Sequence, residues 1–368
     1  MFFGLFIIPI VIVGLIIFFI WQRVRTRPSQ YENRHLQLAL SKEDAVSQLF
    51  LLLSVLFLGV TLLGFNKDFG SPLSWRAILF ITSAIGLISA YYFKTVYVLI
   101  FSLVGVTVWW SAQAAEWASG KDIKISAVFA GGAFIALLFY VLGHLHEKET
   151  RYRRFALVYL VLGIISVTGL LFFLSTKPGI LALEKATEGN LFFGSWQIAF
   201  SLFLFAVIFI GILTYAASKK LISVFEILAA ALLAALFGVI AFLPEQDLFA
   251  KLNIINGMDM NGGFVGFSEP LSGSGVLWAV IFNVIVFFEL LGLIFSGYSR
   301  RETWLINLGA LFLFILIIVK YFDWFFTFLD KSIFFIGAGI LLFAVGWFME
   351  RGRRYMISNI ESGAQKPL

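Results

Sequence analysis

Two carboxylates interrupt long apolar runs in this chain. Glu226 sits in LISVFEILAA, and Glu289 sits in VIVFFELLGL. An ionisable group inside a membrane is costly to bury and is a functional candidate for that reason. Each falls on the order of 10 Å from the basic end of its apolar run at 1.5 Å per helical residue. The two can therefore share a depth. If they face one another, they form a proton or cation site. The plainer alternative is that each is protonated, or reaches Ser, Asn or a basic residue at the membrane edge. Asn283 and Asn307 are further polar residues on apolar segments, suited to bonding between helices. Asn283 is about 120° around a helix from Glu289, so the two do not make one simple stripe.

The other chemistry-bearing residues are weaker candidates. His144 and His146 are two residues apart, whereas a helical metal pair needs a spacing of three or four. They read as an ordinary interfacial pair. Trp109, Trp110 and Trp117 read as an aromatic belt. Among acids in the segments read as external, Asp247, Asp259 and Glu269 are too scattered to define a metal site, and with Asp68 and Glu116 they are the residues an enzyme site at the outer face would draw on. The chain has no Cys, which removes thiol nucleophiles, disulfides and Cys-ligated metals. It has no phosphate-binding loop, dinucleotide fingerprint or Gly-x-Ser-x-Gly. Neither a cofactor, a metal nor a catalytic residue is predicted.

The elements that carry these residues follow from composition. The 368 residues are 61% hydrophobic and 13% charged, against about 25% charged in a soluble domain. A helix needs about 20 apolar residues to cross a bilayer. Eleven stretches qualify: 3–21, 46–65, 76–93, 95–114, 124–143, 153–174, 195–216, 221–243, 275–297, 303–321 and 332–349. The fold class is all-α, a polytopic transmembrane helix bundle. The turn at 93–95 is so short that spans three and four nearly fuse.

The net charge of +6 reflects topology and not nucleic-acid binding. Eighteen of the 27 Lys and Arg fall on one alternating set of connections and nine on the other. The positive-inside rule then places the N-terminus outside and the C-terminus inside. Residues 1–21 are a first helix, retained rather than cleaved, and 22–45 a basic cytosolic linker. Residues 46–354 form a ten-helix membrane domain with a long outer loop at 244–274, and 355–368 a cytosolic tail. The loop is rich in Gly and Asn, and long loops are often functional.

The most distinctive sequence is VKYFDWFFTFLDKSIFFIGAGILLFAVGWFMERGRR, residues 319–354. Lys320, Asp323, Trp324 and Asp330 would form an interfacial hairpin, a candidate docking edge. With SRRETWLINLGALFLF before it, this region resembles a family of bacterial multi-pass membrane proteins known only as a domain of unknown function. The shared pattern is aromatic-Phe-Asp, then Leu-Asp-x-Ser, then Gly-Trp and an acidic-basic tail. The resemblance covers 299–354 and implies a bacterial inner-membrane protein. It implies no activity.

Three functions are in play. The leading expectation is a non-enzymatic scaffold or accessory subunit of a cell-envelope complex, with a membrane-protein partner or a second copy of itself. The alternative is a transporter or channel for an ion or small solute using Glu226 and Glu289. The third is an intramembrane lipid- or glycan-modifying enzyme. The bilayer itself is a partner in all three.

Overall fold

A computed structural model describes residues 42–118, 126–148, 152–187, 196–242, 273–325 and 331–364. Its helices are α1 (Lys42–Asp68), α2 (Trp75–Phe93), α3 (Val96–Ala118), α4 (Ser126–Lys148), α5 (Arg153–Leu174), α6 (Lys177–Thr187), α7 (Trp196–Ser218), α8 (Val224–Phe242), α9 (Gly273–Arg300), α10 (Thr303–Phe325) and α11 (Lys331–Ala364). All but the short α6 are long and apolar enough to cross a membrane. This is the architecture of a multi-pass integral membrane protein. The ten candidate spans match ten of the eleven predicted from apolar length. The first predicted span, 3–21, and the long loop lie outside the described residues. Helix α6 was not anticipated, because it is too short and too polar to register as a span.

The chain divides into two compact units. The first contains α1–α4, α5 as far as Val167, α7 and α8. The second contains α5 from Thr168, α6 as far as Ala186, and α9–α11.

In the first unit, α2 and α3 form a tight antiparallel pair. Ser83 and Ser102 are fully buried. Ser83 packs on Gly105 of α3, and Ser102 packs on Gly86 of α2. Each helix thus carries Ser-x-x-Gly, and each serine fills the place where the other helix lacks a side chain. Without water to drive association, such close backbone approach is what holds helices together in lipid. Helix α4 is the most enclosed span, with 72% of its apolar window buried in the protein. Trp110 of α3 is 1% exposed. It lies against Gly131 of α4 and meets the rings of Trp117 and Phe205 edge-on. It is therefore a core residue and not part of an interfacial belt. The reason is that the Gly131 notch admits an indole.

In the second unit, α9 and α10 run antiparallel through Gly297 beside Ile306 and Gly309 beside Ile294. Helices α10 and α11 do the same, with Tyr321 against Gly337 and Phe314 near Gly346.

Three connections share one solution. Lys94, Lys220 and Arg301 have φ of 56°, 52° and 58°. Each ends a helix in the left-handed conformation that glycine normally supplies. Behind each, a backbone N–H closes onto a carbonyl five residues back: Thr95 to Ala90 at 3.0 Å, Leu221 to Ala216 at 3.0 Å, and Glu302 to Gly297 at 2.8 Å. The conformation costs roughly 1–2 kcal/mol for a residue with a Cβ. A cation at the negative end of the helix dipole offsets part of that. The Lys94 turn shows that spans three and four are separate helices. The new helix α3 is started by Gln48 of α1, whose Oε1 accepts the Val96 N–H at 3.0 Å.

The α2–α3 seam generates a test. A Cβ on Gly105 would stand 3.2 Å from the Ser83 Cβ and closer still to its hydroxyl. Gly105→Ala should lower stability by about 1–3 kcal/mol through overpacking. Ser83→Gly in that background should recover much of the loss, because it vacates the space. Thermal unfolding of the four proteins of this double-mutant cycle in detergent measures the coupling. Strictly additive effects would show that the seam is not in contact.

Candidate functional site

Polar residues of the described spans form several local arrangements, beginning with Glu226. Helix α8 begins at Val224, and Ser223 precedes it as its cap. The Glu226 N–H donates to Ser223 Oγ at 3.3 Å, and the Ser223 N–H donates to Glu226 Oε2 at 3.0 Å. The Ser223 hydroxyl adds a third bond to Oε2 at 2.8 Å. This is a reciprocal capping box, which satisfies N–H groups that a helix start leaves without partners. Its signature, Ser-Val-Phe-Glu, was present in the sequence. Glu226 sits in the first turn of its helix, where the positive end of the dipole also favours it.

Glu289 is placed differently. It lies eleven residues before the end of α9 at Arg300 and sixteen after its start at Gly273. That is about 16 Å from one end and 24 Å from the other. Its Oε1 accepts the hydroxyl of fully buried Thr168 at 2.7 Å. Its Oε2 is buried and has no hydrogen-bond partner among the described residues. Both residues belong to the second unit. Each of the two glutamates thus has its own serine or threonine partner.

Two turns along α9 from Glu289, the same neighbour is met again. The Ser175 carbonyl, just past the end of α5, accepts Asn283 Nδ2 at 3.1 Å and the Lys320 ammonium. Asn283 also donates to Ala279 of its own helix at 2.7 Å. A helix ends with carbonyls that lack partners, and a buried one is expensive. An amide and an ammonium supply the donors here, and the ammonium also meets the negative end of the dipole. Glu289 and Asn283, although about 120° apart on α9, both reach the final part of α5. Lys320 therefore faces into the second unit. The side chains of its proposed hairpin companions Asp323, Trp324 and Asp330 lie outside the described residues.

Asn307 belongs to a cluster between α10 and α11. Its Oδ1 accepts Arg353 Nη1 at 3.0 Å. The same guanidinium grips Glu350 with two bonds, Nε to Oε2 at 2.6 Å and Nη2 to Oε1 at 2.8 Å. Arg354 Nε adds a third contact to Glu350 at 2.7 Å. A forked guanidinium–carboxylate pair fixes geometry as well as charge. Here it steadies the Arg353 guanidinium within α11, and the bond to Asn307 joins α11 to the start of α10.

A further arrangement, in the first unit, was only half visible in the sequence. His146 Nδ1 lies 2.8 Å from the Leu142 carbonyl, so that nitrogen carries the proton. In the neutral ring Nε2 is then an acceptor, to which the Tyr91 hydroxyl donates at 2.9 Å. The Tyr159 hydroxyl in turn donates to Tyr91 at 3.0 Å. The direction of the chain is set by the one carbonyl, which can only accept. His146 also stacks on the Tyr159 ring, at 5.1 Å and 16°. His144 turns elsewhere, to Glu147 at 3.2 Å. The tyrosines come from α2 and α5, more than 50 positions from His146 in one case, and no local motif marks them.

Of the scattered acids, Asp68 is exposed and Glu116 pairs with Arg76 at 3.1 Å. Asp247, Asp259 and Glu269 lie outside the described residues. Among the described residues, no three His, Asp or Glu side chains converge as a metal site would require. No family model, no curated protein and no solved structure matches the chain.

The capping role of Glu226 is testable without an activity. Glu226→Gln keeps a side chain that a capping box accepts and should leave thermal stability within about 0.5 kcal/mol. Glu226→Ala should cost more, about 0.3–1 kcal/mol, because the return bond to the cap and the contact with the helix dipole are both lost. Equal loss in both variants would mean that the negative charge matters for another reason.

Proposed function

We propose that this chain is a multi-pass protein of a bacterial inner membrane that moves a proton or a small cation, with Glu289 as the binding group. One observation carries the reading. Glu289 lies far from either end of α9, with one oxygen held by Thr168 and the other buried without a hydrogen-bond partner among the described residues. A bare carboxylate oxygen in a low-dielectric interior is costly, and a bound proton or cation removes that cost. Thr168 orients the carboxyl, and Oε2 is the position at which the ion binds and from which it leaves. Glu226 is engaged in its own helix cap, so the reading rests on one carboxylate and not on a pair. Reconstituted vesicles loaded with a pH-sensitive or cation-sensitive dye test it under an imposed gradient. Wild-type flux should fall at least tenfold in Glu289→Gln and severalfold in Thr168→Val. Flux equal to that of empty vesicles in the wild type would reject the reading.

The second reading is a scaffold or accessory subunit. Its support is α11, the least enclosed span, with 6% of its apolar window buried in the protein. Such a helix contacts lipid or a partner helix. Crosslinking in native membranes that captures only the lone chain would reject this alternative.

For orientation, we place the N-terminus outside and the C-terminus inside. The basic turns at Lys94, Lys220 and Arg301 all fall on connections that the charge bias assigns to the inside. The chain has no Cys, so single-cysteine labelling has no background. Ser71→Cys should react with a membrane-impermeant maleimide in intact cells, and Lys219→Cys should react only after permeabilisation. The reverse pattern would invert the topology.

A further inference from the structure

The first unit carries an open cleft of about 580 Å³ lined by Leu87, Ile88, Tyr91, Tyr92 and Tyr152. Ligand pockets span roughly 300–1,000 Å³. The lining changes character along α2. Leu87 and Ile88 lie deeper in the span, and Ile88 is 71% exposed. Tyr91 and Tyr92 follow one turn later, near the helix end, and Tyr92 is 77% exposed. Just beyond them is the Lys94 turn. Tyr152, 5.4 Å from Tyr91 between ring centroids, immediately precedes Arg153 and Arg154 at the start of α5. Lys94 and Arg154 are exposed. From the membrane interior outward, the lining of the cleft runs from aliphatic to phenolic, and the exposed cations Lys94 and Arg154 each follow a lining tyrosine by two residues in the chain. Its inner wall is pre-organised, because Tyr91 is tied to both His146 and Tyr159.

We infer that this cleft binds one anionic phospholipid. The acyl chain would lie on Leu87 and Ile88, and the glycerol region between the tyrosines. The phosphate would meet Lys94 and Arg154. The order of chemistry matches the order in a lipid, and the charge selects an anionic headgroup over a zwitterionic one. Aromatic side chains with polar tips suit the middle position, where one end is apolar and the other wet. Because the site lies within the first unit, it is independent of Glu289.

Native mass spectrometry of the full chain tests this. The protein is released from detergent containing equimolar dioleoyl phosphatidylglycerol and dioleoyl phosphatidylcholine. The wild type should retain one phosphatidylglycerol in at least fivefold excess over phosphatidylcholine. Lys94→Asn with Arg154→Gln should bring that ratio close to one, Asn being tolerated in the left-handed turn. Ile88→Trp should fill the cleft and lower retention of both lipids. Lys219→Gln with Arg351→Gln removes the same charge elsewhere and should leave the excess intact. Equal retention of the two lipids by the wild type overturns the assignment. So does an equal loss in the control pair, which would mean diffuse attraction to surface charge. If the Lys94 and Arg154 variant does not fold, the wild-type ratio and Ile88→Trp still decide.

Discussion

Every backbone N–H and C=O inside a membrane must find its partner within the protein, and the rest of this structure depends on that constraint. Helices meet it along their length but not at their ends. The ends are where this chain uses its polar side chains. Gln48 supplies an acceptor to the first N–H of α3. Ser223 and Glu226 cap α8. Asn283 and Lys320 meet the carbonyl beyond α5. Residues that look functional because they are polar in an apolar sequence are in several cases completing a helix.

Glu289 does not fit that pattern. It sits well inside α9, where the helix's own hydrogen bonds are complete, and its second oxygen has no described partner. The thermodynamic distinction is clear. A capping carboxylate offsets the exposure of N–H groups, whereas the mid-helix Glu289 adds a desolvation cost that the Thr168 hydroxyl offsets at one oxygen only. Retaining such a group without a stabilising role is what makes it the best place to look for activity.

Much of the fold was legible because apolar length is a direct physical requirement for crossing a bilayer. The ten described spans agree with the predicted limits to within a few residues at most ends, although α11 continues to Ala364, into the predicted tail. What could not be read is which residues meet. Trp110 looked like a belt residue because its position near a span end is all that the sequence reveals, and its burial depends on Gly131 of another helix. The Tyr159–Tyr91–His146 chain joins three helices at side chains with no shared spacing. The role of Glu226, by contrast, was present as Ser-x-x-Glu at a helix start. It was obscured because a carboxylate in an apolar run draws attention to its charge before its neighbours.

The Ser-x-x-Gly motifs of α2 and α3 have a further consequence. Because the two helices are antiparallel and carry the same motif, the seam is self-complementary. The same serine-into-glycine fit is open to either helix with an antiparallel copy of itself from a second chain. What decides between them is tethering. The turn at Lys94 holds the correct partner at a high effective concentration from the moment α3 emerges. The compactness of that turn is therefore a kinetic safeguard during membrane insertion. Lengthening it would leave every contact of the finished pair intact and still open a route to intermolecular exchange.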